Sequence, residues 1–233
     1  MSGRGVVGAI VVVVVLAGGV LVADRVTHST AERRVAEAIE QNLEVVGTPT
    51  VEIGGFPFLT QLLAGSVDDV TGAVDGVTLE GIDATDVTID AQDVSTSEPY
   101  TLGTVTISAT LPTASIDQIV ADRSQLDITV AVDGGTLTAT GTVLGLELAA
   151  DLVPRVEDGR LLATVDNVQF AGLTVSVADL PRAIGARLTD IEIPVSGLPE
   201  GLVLSDATVV ADGVRVTATG TDVVLPAEAP PAR

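Results

Sequence analysis

From Val67 to Val224 apolar side chains recur at every second position, and this alternation limits what the chain can fold into. Val77 and Leu79, Val87 and Ile89, the run Leu102 to Ala109, and the series Leu126, Ile128, Val130 and Val132 all follow it. So do Leu137 and Ala139, then Leu144, Leu146, Leu148 and Leu152. Thr, Ser, Asp and Glu fill the positions between. A period of two puts one side of a strand in a dry core and the other in water. Asp75-Gly76, Asp133-Gly134, Asp158-Gly159 and Asp212-Gly213 read as hairpin turns between such strands. The last strands are expected at Leu202 to Val210, Val214 to Thr219 and Val223 to Leu225. Hairpin connections make the sheet mostly antiparallel. Two helical segments interrupt the strands. Ser115 to Asp122 carries Ile116, Ile119 and Val120; Ala178 to Leu188 carries Leu180, Ile184 and Leu188, with Arg182 and Arg187 on its other faces. The expected class is α+β, a long, mostly antiparallel sheet with short helices. A 46% hydrophobic fraction over 233 residues is enough for such a core, in one large domain or two small ones.

Ahead of the strands, residues 29–46 read as an amphipathic helix. Ser29 or Thr30 is the expected cap, and Glu32 sits in the first turn, where the helix dipole favours a carboxylate. Val35, Ile39, Leu43 and Val46 form its apolar stripe, and Gly47-Thr48-Pro49 ends it. A short strand with Val51 and Ile53 follows and turns at Gly54-Gly55. In Phe56 to Gly65, Pro57 suits the start of a helix and Gly65 the position just past its end.

The amino terminus opens on Gly5 to Ala23, a run of 19 residues without a charge. As a helix it would cover roughly 28 Å, close to the thickness of the bilayer hydrocarbon. Arg4 precedes it and Asp24 follows, so the positive-inside rule keeps the short tail in the cytoplasm and carries the rest across. An uncleaved anchor is favoured over a cleaved signal peptide, because the apolar core is long and Leu21-Val22-Ala23 matches A-x-A poorly. The expected division is 1–25, tail and anchor or signal; 26–225, the folded domain; and 226–233, a flexible tail. The location is the outer, periplasmic-side face of the cell membrane, single-pass, or secreted if the segment is cleaved.

Composition removes several kinds of chemistry. With no Cys, the chain cannot form a disulfide, a thiolate metal site or a cysteine nucleophile. With 32 acids against 11 basic residues, all of them Arg, the formal charge is -21. Such a field opposes nucleic acid and also opposes adhesion to anionic headgroups by surface charge. The single imidazole, His28, lies five residues past the apolar run and reads as a solvated stalk residue rather than a general base. The carboxylates Asp68, Asp69, Asp83 and Asp86 read as turn formers and solvated faces rather than glycosidase pairs. Asp83, Asp86, Asp90 and Asp93 suggest calcium, but no D-x-D-x-D-G loop is present. No phosphate-binding glycine motif occurs.

The segment Gly54 to Gly65 carries two of the four aromatic residues, Phe56 and Phe58, followed by Leu59, Leu62 and Leu63. Phe58, Leu59, Leu62 and Leu63 share one stripe of a helix. The stripe reads either as a core helix plugging one end of the sheet or as the wall of an apolar cavity.

The apolar N-terminal run, the helix text A-E-R-R-V-A-E and the block G-G-F-P-F-L-T-Q-L-L-A-G together resemble the LmeA-like phospholipid-binding proteins of actinobacterial cell envelopes. The stretches Ser196 to Leu202 and Asp212 to Gly220 are similar to that family's final hairpin. The resemblance implies a TULIP-like fold, a long curved sheet wrapped on helices around an apolar tube. It also implies phospholipid binding without catalysis or cofactor, in support of lipid or lipoglycan assembly or transport. On that reading Phe56, Phe58, Leu59, Leu62, Leu63, Leu144, Leu146 and Leu148 are the candidate lipid-binding residues. Arg123, Arg182 and Arg187 are candidate headgroup partners, or surface residues paired with acids. The partners are then a phospholipid and the cytoplasmic membrane through residues 5–23. The alternative is a scaffold module that stabilises an envelope biosynthetic enzyme through protein contacts, with no lipid cavity.

Overall fold

A computed structural model describes residues 24–41, 43–79, 81–97, 99–124, 128–143, 146–170, 173–179, 191–193, 198 and 201–224. The expected span at 5–23, the tail at 226–233, Leu144, Arg182 and Arg187 lie outside the described residues. Arg123 and Leu146 are described in their backbone only. No helix among the described residues is long and apolar enough to cross a membrane.

In chain order, the helix α1 covers 24–41 and is followed by β1 (Glu44–Val46), β2 (Thr50–Ile53) and the helix α2 (Phe58–Ala64). Next come β3 (Ser66–Leu79), β4 (Ile82–Ser95), β5 (Thr101–Pro112) and the helix α3 (Thr113–Ser124). The middle of the chain forms β6 (Ile128–Asp133), β7 (Thr136–Val143), β8 (Leu146–Glu157), β9 (Arg160–Phe170) and β10 (Leu173–Ser176). A 3-10 turn at Val177–Asp179, then β11 (Ile191–Ile193), β12 (Leu202–Val210) and β13 (Gly213–Val224), complete the order. The chain is thus a sheet-dominated α+β protein with curved, open antiparallel sheets.

The strands form two sheets where the sequence suggested one. The first has seven strands in the order β1-β3-β4-β5-β13-β12, with β2 also on the outer edge of β3. The second has six, β10-β9-β8-β7-β6, with β11 sharing the β10 edge of β9. The first meander is therefore completed by the C-terminal hairpin, β13 pairing along the whole of β5. The second meander is inserted between them. β12 packs against β8 and β9 and joins the two layers. Its Leu202, Leu204 and Ala207 enter one core with Leu102, Val105, Val214 and Val223 of the first sheet and Val130, Leu137 and Leu161 of the second. A bulge between Leu204 and Asp206 lets Ala207 keep to the dry face although it breaks the alternation begun by Leu202 and Leu204.

Turn chemistry holds at two of the four Asp-Gly pairs. Gly134 and Gly135 join β6 to β7, and Asp158 and Gly159 join β8 to β9, each residue with positive φ as a two-residue hairpin loop requires. Gly213 instead starts β13, and the turn is Ala211-Asp212. A Cβ on Gly213 would sit 1.9 Å from the Leu111 carbonyl oxygen, so the close approach of β5 explains this glycine. Asp75-Gly76 is no turn at all: both residues lie inside β3. There a Cβ on Gly76 would stand 3.1 Å from the Ala84 carbonyl oxygen and 3.4 Å from Val46.

The N-terminal elements correct three further expectations. α1 stops by residue 41, and the end of the expected helix becomes β1, with Val45 opposite Val77. Ser29 and Thr30 lie inside α1 and donate back to the Val26 carbonyl at 3.3 and 2.7 Å instead of capping. His28 is not a solvated stalk residue. It is half-buried, its Nε2 lies 2.6 Å from the Ile53 carbonyl oxygen, and its ring meets Phe58 edge-on at 5.2 Å. One turn on, Glu32 accepts the Ile53 N–H at 3.0 Å. Two side chains of α1 thereby satisfy the outward backbone groups of an edge strand that would otherwise stay open.

Candidate functional site

An apolar cavity of about 410 Å³ lies between α3 and the inner face of the second sheet. Its floor is built by the alternation in three strand registers. Val130 stands opposite Ala139, and Ala139 opposite Ala150. Leu137 stands opposite Leu152, and Leu152 opposite Val165. Pro154 stands opposite Ala163, and Ala163 opposite Ile191. All nine of these side chains line the cavity. Ala139, Ala150 and Ala163 occupy floor positions where a Leu or Ile would reach toward α3, and close packing is lost above them. Ile128, Leu161 and Ile193 extend the floor, and Leu111 and Val214 of the first sheet close one end.

α3 forms the roof through Ile116, Ile119 and Val120. Its polar residues hold it there. Ser115 donates to the Asp83 carbonyl at 2.8 Å and Gln118 to the Gly81 carbonyl at 3.2 Å, both near the β3–β4 turn. Asp117 accepts the Val130 N–H of β6, the free edge of the second sheet. The helix is thus fastened to both sheets by polar groups while its apolar residues look into an unfilled space.

Glu192 is the single charged side chain of the described lining. Its Oε2 lies 3.7 Å from Arg160, and both side chains are about half exposed, so the pair marks a wet rim on a dry cavity. Paired, solvated charges of this kind add little to stability. They do offer a cation and an anion beside the opening. Ala139 is one of the alternating inward residues read from the sequence, but Ala150, Ala163 and Arg160 are not. The available signal was Ala, rather than Leu, at inward positions of β7, β8 and β9.

The candidate lipid-binding residues of the α2 segment lie elsewhere, and none of them is in the cavity lining. Phe58 is 2% exposed and packs on His28; Leu59 is half-buried. Phe56, Leu62 and Leu63 are 62%, 42% and 90% exposed. The other inward residue of α2 is Gln61. It donates to the Gly54 carbonyl at 3.2 Å and accepts the Asp68 N–H at 2.7 Å. Gly55, with φ +87°, leaves it room, since a Cβ there would stand 2.3 Å from the Gln61 amide. Leu148 is half-buried on β8, two positions beyond the floor residue Ala150, and is not in the lining.

Among the described residues no group of three or more His, Asp or Glu side chains could hold a metal ion. The aspartates that suggested calcium run along β4. Asp86 and Asp93 adopt positive φ, Asp83 accepts the Thr78 hydroxyl at 2.6 Å, and Asp86 lies 3.8 Å from Arg215.

Compared with known proteins, the chain matches the model of one family, described as LmeA-like phospholipid-binding, over residues 22–219. No curated protein and no solved structure matches it. The matched stretch runs from the start of α1 through α3 and both sheets into β13, so it includes every wall of the cavity. The chain belongs to the LmeA-like phospholipid-binding family.

Proposed function

We propose that the protein holds a phospholipid by seating an acyl chain in the cavity between α3 and the second sheet. The observation that carries this reading is an unfilled space of about 410 Å³ with apolar walls and one charged rim, in a chain of a phospholipid-binding family. The volume falls within the range of about 300–1,000 Å³ common for ligand sites. At roughly 30 Å³ for a water-sized group, it holds about a dozen such groups, the length of one acyl chain. Ten buried methylenes contribute roughly 8 kcal/mol before ordering costs. That term does not depend on the protein's net charge, which disfavours anionic headgroups. The headgroup stays at the rim, where Arg160 meets a phosphate oxygen and Glu192 can face a headgroup ammonium.

The protein works on the outer face of the cytoplasmic membrane, tethered by residues 5–23, and supports lipid or lipoglycan assembly or transport. A reporter that is active only outside the cytoplasm, fused after Val224, is expected to be active; activity of a cytoplasm-only reporter would end this placement. Native mass spectrometry of the full chain, stripped of detergent in the instrument, tests the binding. The expected spectrum shows the chain plus one phospholipid mass. A chain that stays bare through a titration with phospholipid would contradict it.

A further inference from the structure

We propose that α2 and its flanks form a foot that dips into the membrane surface beside the span at 5–23. This goes beyond the cavity reading and rests on the tether reading. From Ile53 to Val67 no residue is charged, in a chain whose formal charge is -21. Within that stretch Phe56, Leu62 and Leu63 are exposed, Leu63 to 90%. α2 buries Phe58 and Gln61, so its outward side carries Thr60, Leu63 and Ala64. Large apolar side chains held in water on a stretch with no charge of its own mark a contact surface.

The chain itself indicates the occupant. Asp24, the first residue after the apolar run, is buried, and its Oδ1 accepts the Leu59 N–H at 2.7 Å. The end of the span is thereby fastened to the first turn of α2, and the two lie within about one helical turn, roughly 5 Å, of each other. A bilayer holding residues 5–23 therefore comes close to α2 as well as to the first turn of α1. Arg25, exposed next to Asp24, can reach the headgroups with its cation while its stem lies on the apolar surface. Apolar side chains at this level enter the headgroup–acyl boundary, at a depth of about 5–10 Å. Charge supports a lipid occupant as well. This is a long neutral stretch of an acidic chain, and it brings no carboxylate of its own to a bilayer. The tether keeps the bilayer at high effective concentration, so a shallow contact suffices.

The absence of cysteine makes the test direct. Leu63→Cys is labelled with an environment-sensitive fluorophore in the full chain, reconstituted at low density in phosphatidylcholine vesicles. Val203→Cys is the control: Val203 is 55% exposed on β12, four strands away from β3, or roughly 19 Å across the sheet. The expected result at 63 is blue-shifted emission, loss of intensity to spin-labelled lipids, and protection from aqueous iodide, with the opposite pattern at 203. A label at 63 as open to iodide as the one at 203 overturns the proposal. A label that is shielded from iodide yet untouched by spin-labelled lipids also overturns it, and assigns the face to a second copy or another protein. Flotation in alkaline carbonate reads the tether separately. A chain that floats with a wet label loses the foot and keeps the anchor; a chain that does not float loses the anchor reading, whatever the label shows.

Discussion

Ala150→Phe is expected to empty the cavity of lipid while leaving the fold standing. Ala150 sits at the centre of the floor, opposite Ala139 on β7 and opposite Val168 on β9. A Phe there projects about six extra carbon atoms into the space under α3. An acyl chain that gives up six methylenes of burial loses about 5 kcal/mol, on the order of a thousandfold in affinity. In a filled core the same substitution would force side chains off their rotamers at a cost of about 1–3 kcal/mol. Lipid per mole of protein and thermal midpoint, measured together, separate the two cases. Lipid occupancy is expected to fall at least tenfold with the midpoint held or raised. Retained lipid with a large fall in midpoint would mean that the space is not where the chain binds.

Phe58→Ala is expected to do the reverse. Phe58 is 2% exposed and meets the His28 ring, and its helix is tied to α1 through Asp24 and to the Gly54 carbonyl and β3 through Gln61. Truncating a buried Phe costs about 3–5 kcal/mol, a large share of a typical total of about 5–15 kcal/mol. The midpoint should fall sharply. Lipid per folded chain should not change, because Phe58 is absent from the cavity lining. Leu63→Ala, at a position 90% exposed, should leave both quantities near wild type and so serves as the control on the same helix. Loss of lipid from chains that remain folded as Phe58→Ala would return α2 to the binding site.

These opposite expectations show which parts of the molecule a linear reading reaches. Alternation reports which side of a strand is dry, so the strands and their antiparallel pairing could be read from residues such as Val130, Leu137 and Leu152. It does not report which strands share a sheet. The pairing of β5 with β13, about a hundred residues apart, and the division into two sheets depend on contacts that leave no local mark. The cavity is a property of register in the same sense. Ala139, Ala150 and Ala163 each look unremarkable alone, and only pairing across β7, β8 and β9 puts three small side chains beneath one helix.

Local rules failed where tertiary contacts outweighed them. Leu43 and Val46 continue the apolar spacing of α1, yet the open edge of β3 takes Glu44–Val46 as a strand. Asp75-Gly76 has the text of a turn, but its glycine serves the close approach of Val46 and the Ala84 carbonyl. In the α2 segment the boundaries were legible from Pro57 and Gly65, the latter in the left-handed conformation with φ 87°. Its facing was not. A helix of seven residues buries only a narrow strip, and here a hydrogen-bonded Gln61 takes the inward place that the stripe assigned to leucine.

An acyl chain is expected to lie between α3 and the floor of the second sheet. A phospholipid with a photoactivatable diazirine near the end of one acyl chain reports where that chain sits. The full chain is loaded, irradiated and digested, and the modified residues are read by tandem mass spectrometry. Adducts are expected on the cavity walls, at residues such as Ile116, Ile119, Val130, Leu152 and Val165. Adducts confined to Phe56, Leu62 and Leu63, with the walls under α3 unmodified, would contradict it.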